Sequence, residues 1–132
     1  MIEVYTDGAC WPNPGPNGGW SFVAYEKGRE VYANSGRAEG ITSNNRMEMT
    51  GMLRALLWLG ERPGRIYTDS QLVVHGMNSW AKAWQRRGWM RKDKDTKTLQ
   101  PVMNRDLWEV MMIARMPCHQ VTWVKEIGRA HV

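Results

Sequence analysis

The chain has 132 residues, 42% hydrophobic and 23% charged, a balance typical of one folded domain rather than of a disordered chain. Eighteen Lys and Arg against thirteen Asp and Glu give a formal net charge of +5, which favours a polyanionic partner. Two cysteines are too few for a disulfide framework, no leader pattern begins the sequence, and no apolar run is long enough to cross a membrane, so we expect a cytoplasmic protein with no membrane partner.

The first third of the sequence predicts strands. Residues 2–7 alternate apolar and polar side chains, which is the period of a strand. The Pro-, Gly- and Asn-rich stretch "CWPNPGPNGG" at 10–19 is predicted to be a loop. The segments "WSFVAYE" (20–26) and "REVYANSGRA" (29–38) are predicted to form a hairpin around a turn at Lys27 and Gly28.

The rest of the chain mixes helices with two further strands. The first helix is expected to begin after a cap at Asn44 or Asn45. Its apolar residues are expected to be Met49, Met52, Leu53, Leu56 and Leu57. "RIYTD" (65–69) predicts a strand, and residues 70–88 predict two short helices with a break near Gly76. A loop at 92–97, a helix at 99–116 with Pro101 in its first turn, and a strand at 119–125 complete an α/β domain with a mixed sheet.

One carboxylate-bearing phrase occurs twice, as "VYTDG" at 4–8 and "IYTDS" at 66–70. If the two strands are parallel neighbours, Asp7 and Asp69 emerge together at the sheet edge where ligands bind. Taken singly, each Asp is equally well explained as a turn residue. The duplication of the whole phrase favours a shared site.

Glu48 adds a third acid near the start of the first long helix. It shares a helix face with Gly51, Met52 and Ala55, and the small residues predict a close approach to the sheet. The alternative is a carboxylate placed there for the helix dipole. Three carboxylates held close together stay ionised only beside a cation, and oxygen ligands of this kind suit Mg²⁺.

At this point the sequence resembles bacterial type 1 ribonucleases H, over residues 2 to about 125. The segments that carry the resemblance, in the family's order, are "YTDGACWPNPGPNGG", "TSNNRMEM", "YTDSQ", "WAKAWQRRGW", "NRDLW" and "VTWVK". The resemblance implies a ribonuclease H-like fold, a five-stranded mixed sheet with helices on both faces. It also implies an endoribonuclease that hydrolyses the RNA strand of RNA–DNA hybrids with two Mg²⁺ ions (Mn²⁺ as a substitute), leaving 5′-phosphate and 3′-hydroxyl ends. A monomer that binds the hybrid duplex and needs no small-molecule cofactor is expected.

The resemblance also implies residue roles. Asp7 is expected to bridge the two metals, flanked by the catalytic ligands Glu48 and Asp69, and Gly8 joins the metal site. The residues implied to contact the hybrid are Cys10, Asn13, Asn45 and Gln71 in the minor groove, Ser43, Arg46 and Asn104 at a DNA-strand phosphate, and Trp80, Trp84, Arg86 and Arg87 in a basic segment. The alternatives are turn and cap chemistry for the Asn residues and inward packing for the Trp rings.

The last seven residues depart from the family. We expect a ribonuclease H domain at 1–125 and an unrelated tail at 126–132, without the family's final helix and fourth catalytic Asp. Residues 127–132 can be back-translated into the start of a sequencing adapter, which favours an artefact over a naturally short variant. The missing carboxylate leaves a catalytically impaired hybrid-binding module as the alternative function, and a Trp-based single-strand binder as a third.

Overall fold

The computed structural model describes residues 1–125, whose strands form one large and one small sheet. The strands are β1 (Ile2–Trp11), β2 (Asn17–Glu26), β3 (Arg29–Arg37), β4 (Gly64–Thr68), β5 (Met90–Lys92), β6 (Leu99–Pro101) and β7 (His119–Trp123). The helices are α1 (Asn44–Leu59), α2 (Gln71–His75), α3 (Ala81–Arg86) and α4 (Arg105–Ala114), with a π-helical segment (Gly76–Trp80) between α2 and α3.

The large sheet has the strand order β3-β2-β1-β4-β7. β2 pairs antiparallel with both β1 and β3, whereas β4 runs parallel to β1 and β7. The predicted five-stranded mixed sheet is therefore confirmed. Its consequence for function is that β1 and β4, which carry the duplicated phrase, are parallel neighbours.

The core lies between α1 and one face of this sheet. Met49, Met52 and Leu56 are fully buried there, and they belong to one apolar cluster with Phe22 and Ile66. Leu57 is 58% exposed, so its predicted place on the buried face is wrong. It follows Leu56 by about 100° around the helix, which turns it to solvent.

Two boundaries in the first half differ from the prediction. Ala9 and Cys10 pair with Gly19 and Gly18, so β1 and β2 extend into the predicted loop and leave only residues 12–16 between them. The cap of α1 is Ser43 rather than Asn44 or Asn45, because its Oγ accepts a hydrogen bond from the Arg46 N–H at 3.2 Å.

Two more differences lie in the second half. Gly76 does not break the helical run but begins the π-helical segment, where a Cβ would stand 2.1 Å from the Trp108 ring. The predicted helix at 99–116 begins only at Arg105, because residues 99–101 form β6 and pair with β5. The predicted loop at 92–97 lies largely in the connection of that small hairpin.

The second face of the large sheet carries tyrosines. Tyr5 stacks on Tyr67 with ring centroids 4.8 Å apart, and the Tyr67 hydroxyl donates to Glu3 Oε2 at 2.7 Å. The predictions about the final helix and the tail fall on residues 126–132 and lie outside the described residues. Within residues 1–125, every helix is too short or too polar to cross a bilayer.

Candidate active site

The two aspartates of the duplicated phrase lie at the same edge of the sheet. Tyr5 and Tyr67 are register partners across the parallel β1–β4 pair, and Asp7 and Asp69 each follow two residues later. Asp69 comes directly after the end of β4, whereas β1 continues past Asp7, which pairs with Ser21 of β2. The predicted convergence is confirmed, although only one of the two strands ends at its Asp.

Helix α1 brings Glu48 to the same edge through two glycines. A Cβ at Gly8 would lie 2.2 Å from the carbonyl carbon of Met47, and one at Gly51 would lie 2.9 Å from the Asp7 carbonyl oxygen. Since neither distance is possible for real atoms, any larger residue would push α1 off β1. The predicted close approach of the Gly51 face is confirmed, and Ala55 on that face is also fully buried.

Burial and neighbouring charge act on two of the three carboxyl groups, those of Asp7 and Glu48. Burial raises the pKa of Asp7, and the nearby charge of Asp69 raises it further, against the hydrogen bond that Asp7 Oδ1 accepts from the Gly8 N–H at 2.9 Å. Burial also raises the pKa of Glu48; hydrogen bonding to Ser70 opposes this, and the charges of Asp69 and Asp7 add to it. A cation placed here would relieve the cost of ionising both groups.

The donor set fits a hard divalent cation. Asp7 and Glu48 are half-buried and Asp69 is exposed, so all three offer oxygen ligands with room left for water. Within residues 1–125, no group of three or more acidic, His or Cys side chains lies close enough together to hold a metal ion by itself. Mg²⁺ keeps several of its waters and is commonly held by one or two carboxylates together with substrate phosphates, so the chemistry of the residues present fits that ion.

An aromatic groove lies beyond α2. Trp80 contacts His75 and Trp84 through ring centroids 5.1 and 6.0 Å away, and Trp84 in turn meets Trp108 at 5.6 Å. A cavity of about 300 Å³ borders these rings, lined by Asn45, Leu72, Trp80, Trp84, Arg91, Val102, Met103, Asn104 and Trp108. Trp80 is 43% exposed and Trp84 is partly buried. Inward packing therefore does not account for the Trp80 ring.

The loop after β1 is held to α1 by Asn44, which the sequence suggested only as a possible helix cap and not as a contact to this loop. Asn44 Oδ1 accepts from the Cys10 N–H at 2.7 Å, and the Asn44 N–H donates to Asn13 Oδ1 at 3.0 Å. The Cys10 thiol is buried and lies 3.2 Å from the Pro12 carbonyl and 3.3 Å from that of Gly15. A polar residue at a helix start beside a Gly-Pro loop was the available signal for Asn44.

The remaining predicted contacts fall into two groups. Ser43 and Arg46 at the start of α1 face Asn104 at the start of α4, and Arg46 Nη1 donates to Asn104 Oδ1 at 3.0 Å. The structure therefore brings these predicted residues together. The second group is exposed and consists of Asn45, which borders the aromatic groove, and Gln71, Arg86 and Arg87.

The family model for RNase H matches residues 1–131. The ribonuclease H of Dechloromonas aromatica is 42% identical over 125 residues, 93% of this chain and 78% of that protein. The ribonuclease H of Cupriavidus metallidurans is 44% identical over 124 residues, 92% of this chain and 79% of that protein. The chain belongs to the ribonuclease H family. The family match extends past residue 125, and the expected domain boundary there stays a prediction.

Solved structures share the ribonuclease H fold. LC9-RNase H1, described as a type 1 RNase H with the type 2 active-site motif, is 28% identical with a TM-score of 0.71 over 98% of this chain and 64% of that one. LC11-RNase H1, solved in complex with an RNA/DNA hybrid, is 22% identical with a TM-score of 0.66 over 94% of this chain and 85% of that one. At that identity the second likeness supports the fold alone.

Proposed function

We propose that this ribonuclease H hydrolyses the RNA strand of RNA–DNA hybrids endonucleolytically with two Mg²⁺ ions, leaving 5′-phosphate and 3′-hydroxyl ends. The observation that carries the proposal is the meeting of Asp7, Glu48 and Asp69 at one sheet edge, two of them with raised pKa values. A surface that only binds a polyanion gains nothing from three carboxylates where phosphates approach, so hydrolysis is favoured over binding alone.

The carboxylates act as ligands rather than as nucleophiles. Asp7, between Glu48 and Asp69, is the residue proposed to contact both ions, with Gly8 beside it. When bound, such a pair of ions supplies an activated water, orientation of the scissile phosphate and charge stabilisation of the leaving 3′ oxygen. The protein residues hold the oxygen ligands in place: Gly8 fixes the Asp7 carboxylate through its N–H, and Ser70 hydrogen-bonds to Glu48.

Recognition of the hybrid is proposed to divide between its two strands. The minor-groove group, at the Gly-Pro loop and the helix starts, consists of Cys10, Asn13, Asn45 and Gln71. The 2′-hydroxyl groups there distinguish RNA from DNA. The DNA strand is assigned to the aromatic groove with Trp80 and Trp84, to the Ser43, Arg46 and Asn104 cluster, and to the exposed cations Arg86 and Arg87. Such contacts read shape and backbone rather than base sequence.

The test compares three substrates of one sequence: an RNA–DNA hybrid, an RNA duplex and single-stranded RNA. With Mg²⁺ we expect cleavage of the RNA in the hybrid alone, and no cleavage in excess chelator. End analysis should find 5′-phosphate and 3′-hydroxyl groups. Equal cleavage of single-stranded RNA, or full activity in chelator, would refute the proposal.

A further inference from the structure

Arg46 binds an acidic partner that the site residues so far do not include. Its Nη1 donates to Asp106 Oδ1 at 3.0 Å and its Nη2 donates to Asp106 Oδ2 at 2.9 Å. This is the bidentate pairing of guanidinium and carboxylate, the stronger geometry for such a pair. While it holds, the forked end of Arg46 is occupied and cannot take a phosphate in the same way.

Asn104 occupies the N-cap position of α4, but its side chain does not cap the helix. It precedes α4 with a left-handed φ of 62°, and its side chain makes no capping hydrogen bond. Asn is among the best N-cap residues, so a local stabilising contact is left unmade. Its Oδ1 instead accepts from Arg46 Nη1 at 3.0 Å. Because amide oxygen and nitrogen point in different directions, this bond also fixes where Nδ2 points.

Of these three residues, only Asn104 borders the aromatic groove. Asn104 lines the cavity of about 300 Å³ together with Trp80 and Trp84, whereas Arg46 and Asp106 are not among its lining residues. The amide Nδ2 of Asn104 makes no hydrogen bond to another of the described residues 1–125. The residue that carries this free donor borders the groove, and its amide oxygen is held by the Arg46 side chain of the ion pair.

We infer that Arg46 and Asp106 are positioning residues, whose ion pair holds the Asn104 side chain so that Nδ2 donates to a DNA-strand phosphate in the groove. The inference rests on the proposed function, because it needs a hybrid in that groove. This refines the role proposed above for Arg46 in the DNA-strand cluster: Arg46 acts through Asn104 rather than on the phosphate itself. Asp106, an acidic residue, supports the binding of a polyanion.

The direction in which the hybrid affinity changes when Asp106 is removed separates a positioning role from a simple effect of charge. Removing a negative charge beside a bound polyanion should tighten binding through long-range electrostatics. If the ion pair no longer orients the Asn104 side chain, binding of the hybrid should weaken, because the Nδ2 donor is no longer preorganised. Asp106→Ala is therefore expected to raise the Kd for the hybrid about three- to tenfold, the loss of part of one charge-assisted hydrogen bond.

The experiment measures the Kd of the full chain for a labelled hybrid in chelator, and KM and kcat with Mg²⁺. We expect Asp106→Ala to raise both Kd and KM, while kcat at saturation changes little. Asp106→Glu should restore both, since it keeps the carboxylate fork. Glu109→Ala is the matched control: it removes the same charge one turn later on α4, from an i,i+4 pair with Arg105 at 2.8 Å, and should leave Kd unchanged or lower.

A double-mutant cycle shows whether the effect passes through Asn104. Asn104→Gly removes the amide and tolerates the left-handed backbone. In that background Asp106→Ala should no longer weaken binding. Tighter binding by Asp106→Ala in the wild-type background, or equal weakening in both backgrounds, would overturn the inference. A wild-type chain that does not bind hybrid at all would instead overturn the proposed function with it.

Discussion

At the scale of residues, the site concentrates negative charge that the fold alone does not neutralise. Burial and neighbouring negative charge, that of Asp69 in both cases, raise the pKa values of Asp7 and Glu48, so the folded chain holds protons that the unfolded chain has released. In the window from the ordinary carboxyl pKa near 4 up to the raised values, stability falls as pH rises. Above that window both carboxyl groups are ionised in the folded state, and the full loss of folding stability caused by their ionisation is present.

This predicts that removing one charge stabilises the metal-free protein. Asp7→Asn keeps an oxygen to accept from the Gly8 N–H and removes the repulsion, so its free energy of unfolding in chelator at pH 7 should exceed that of wild type. The expected gain is on the order of 0.5 to 1 kcal/mol, since Asp7 is only half-buried and solvent screens its charge. Urea unfolding at pH 3.5 and pH 7 measures it, and the gain should vanish at the lower pH.

Added Mg²⁺ should make the wild-type protein more stable than Asp7→Asn, which is the reverse of their order in chelator. Added Mg²⁺ should raise the unfolding midpoint of wild type through preferential binding to the folded state, and raise that of Asp7→Asn much less. Glu3→Gln on the same strand, which keeps an acceptor for the Tyr67 hydroxyl, is the control and should respond as wild type does. Equal stabilisation of all three chains would remove Asp7 from the metal site.

At the scale of elements, glycines set how closely the helices approach. Gly8 and Gly51 let α1 lie on β1, and Gly76 admits the Trp108 ring against the π-helical segment. Through Trp108, that second contact reaches Trp84 and then Trp80. The aromatic groove therefore depends on a glycine that lies outside it.

Gly76→Ala should test this dependence. A Cβ 2.1 Å from the Trp108 ring must displace the indole, at a cost of about 1 to 3 kcal/mol in the free energy of unfolding. Ser79→Ala in the same π-helical segment, at an exposed position, is the control and should cost far less. Denaturant unfolding and the Trp fluorescence spectrum report both effects. An unperturbed Gly76→Ala variant would show that the two segments do not constrain each other.

The sequence predicted the elements that rest on periodicity. The alternation at residues 2–7 and the apolar spacing of Met49, Met52 and Leu56 predicted β1 and the buried face of α1. The π-helical segment was missed, since it forms around a tertiary contact between Gly76 and Trp108. Strand β6 was missed because its three residues are exposed and carry no alternation.

The acidic trio was predictable because the duplicated phrase encodes two equivalent strands. The hydrogen-bond partners of Asn44 and Asp106 were not predictable, because they lie 34 and 60 residues away along the chain. A hydrogen bond between groups so far apart along the chain leaves no periodic signal. Only the sheet order and the α1–α4 packing bring those partners together.

At the scale of the whole molecule, charge is divided between two regions. Acids gather at the sheet edge, while Arg86, Arg87 and Arg91 lie exposed from the last residue of α3 onward, in a chain with a net charge of +5. That division suits a polyanion that the exposed arginines bind and that reaches the acidic sheet edge. Binding and chemistry should therefore respond to different substitutions.

Replacing Arg86, Arg87 and Arg91 with Ala should weaken hybrid binding and flatten its salt dependence, by up to about 0.9 in slope for each phosphate that the variant no longer neutralises. Turnover at saturating hybrid should change little. A control variant with the same loss of charge on the β2–β3 hairpin replaces Lys27, Arg29 and Arg37 with Ala. Fluorescence anisotropy over a salt series measures both slopes. Identical salt-dependence slopes for the two variants would mean that Arg86, Arg87 and Arg91 contribute only net charge.

The most direct test of the account is hybrid cleavage by Asp7→Asn beside Glu3→Gln with Mg²⁺ present. Both variants remove one carboxylate from β1, but only Asp7 belongs to the acidic trio. We predict that Asp7→Asn lowers the cleavage rate by at least about a thousandfold, the loss of several kcal/mol of transition-state stabilisation. Glu3→Gln should cleave at close to the wild-type rate. Cleavage by Asp7→Asn at the wild-type rate would contradict the account.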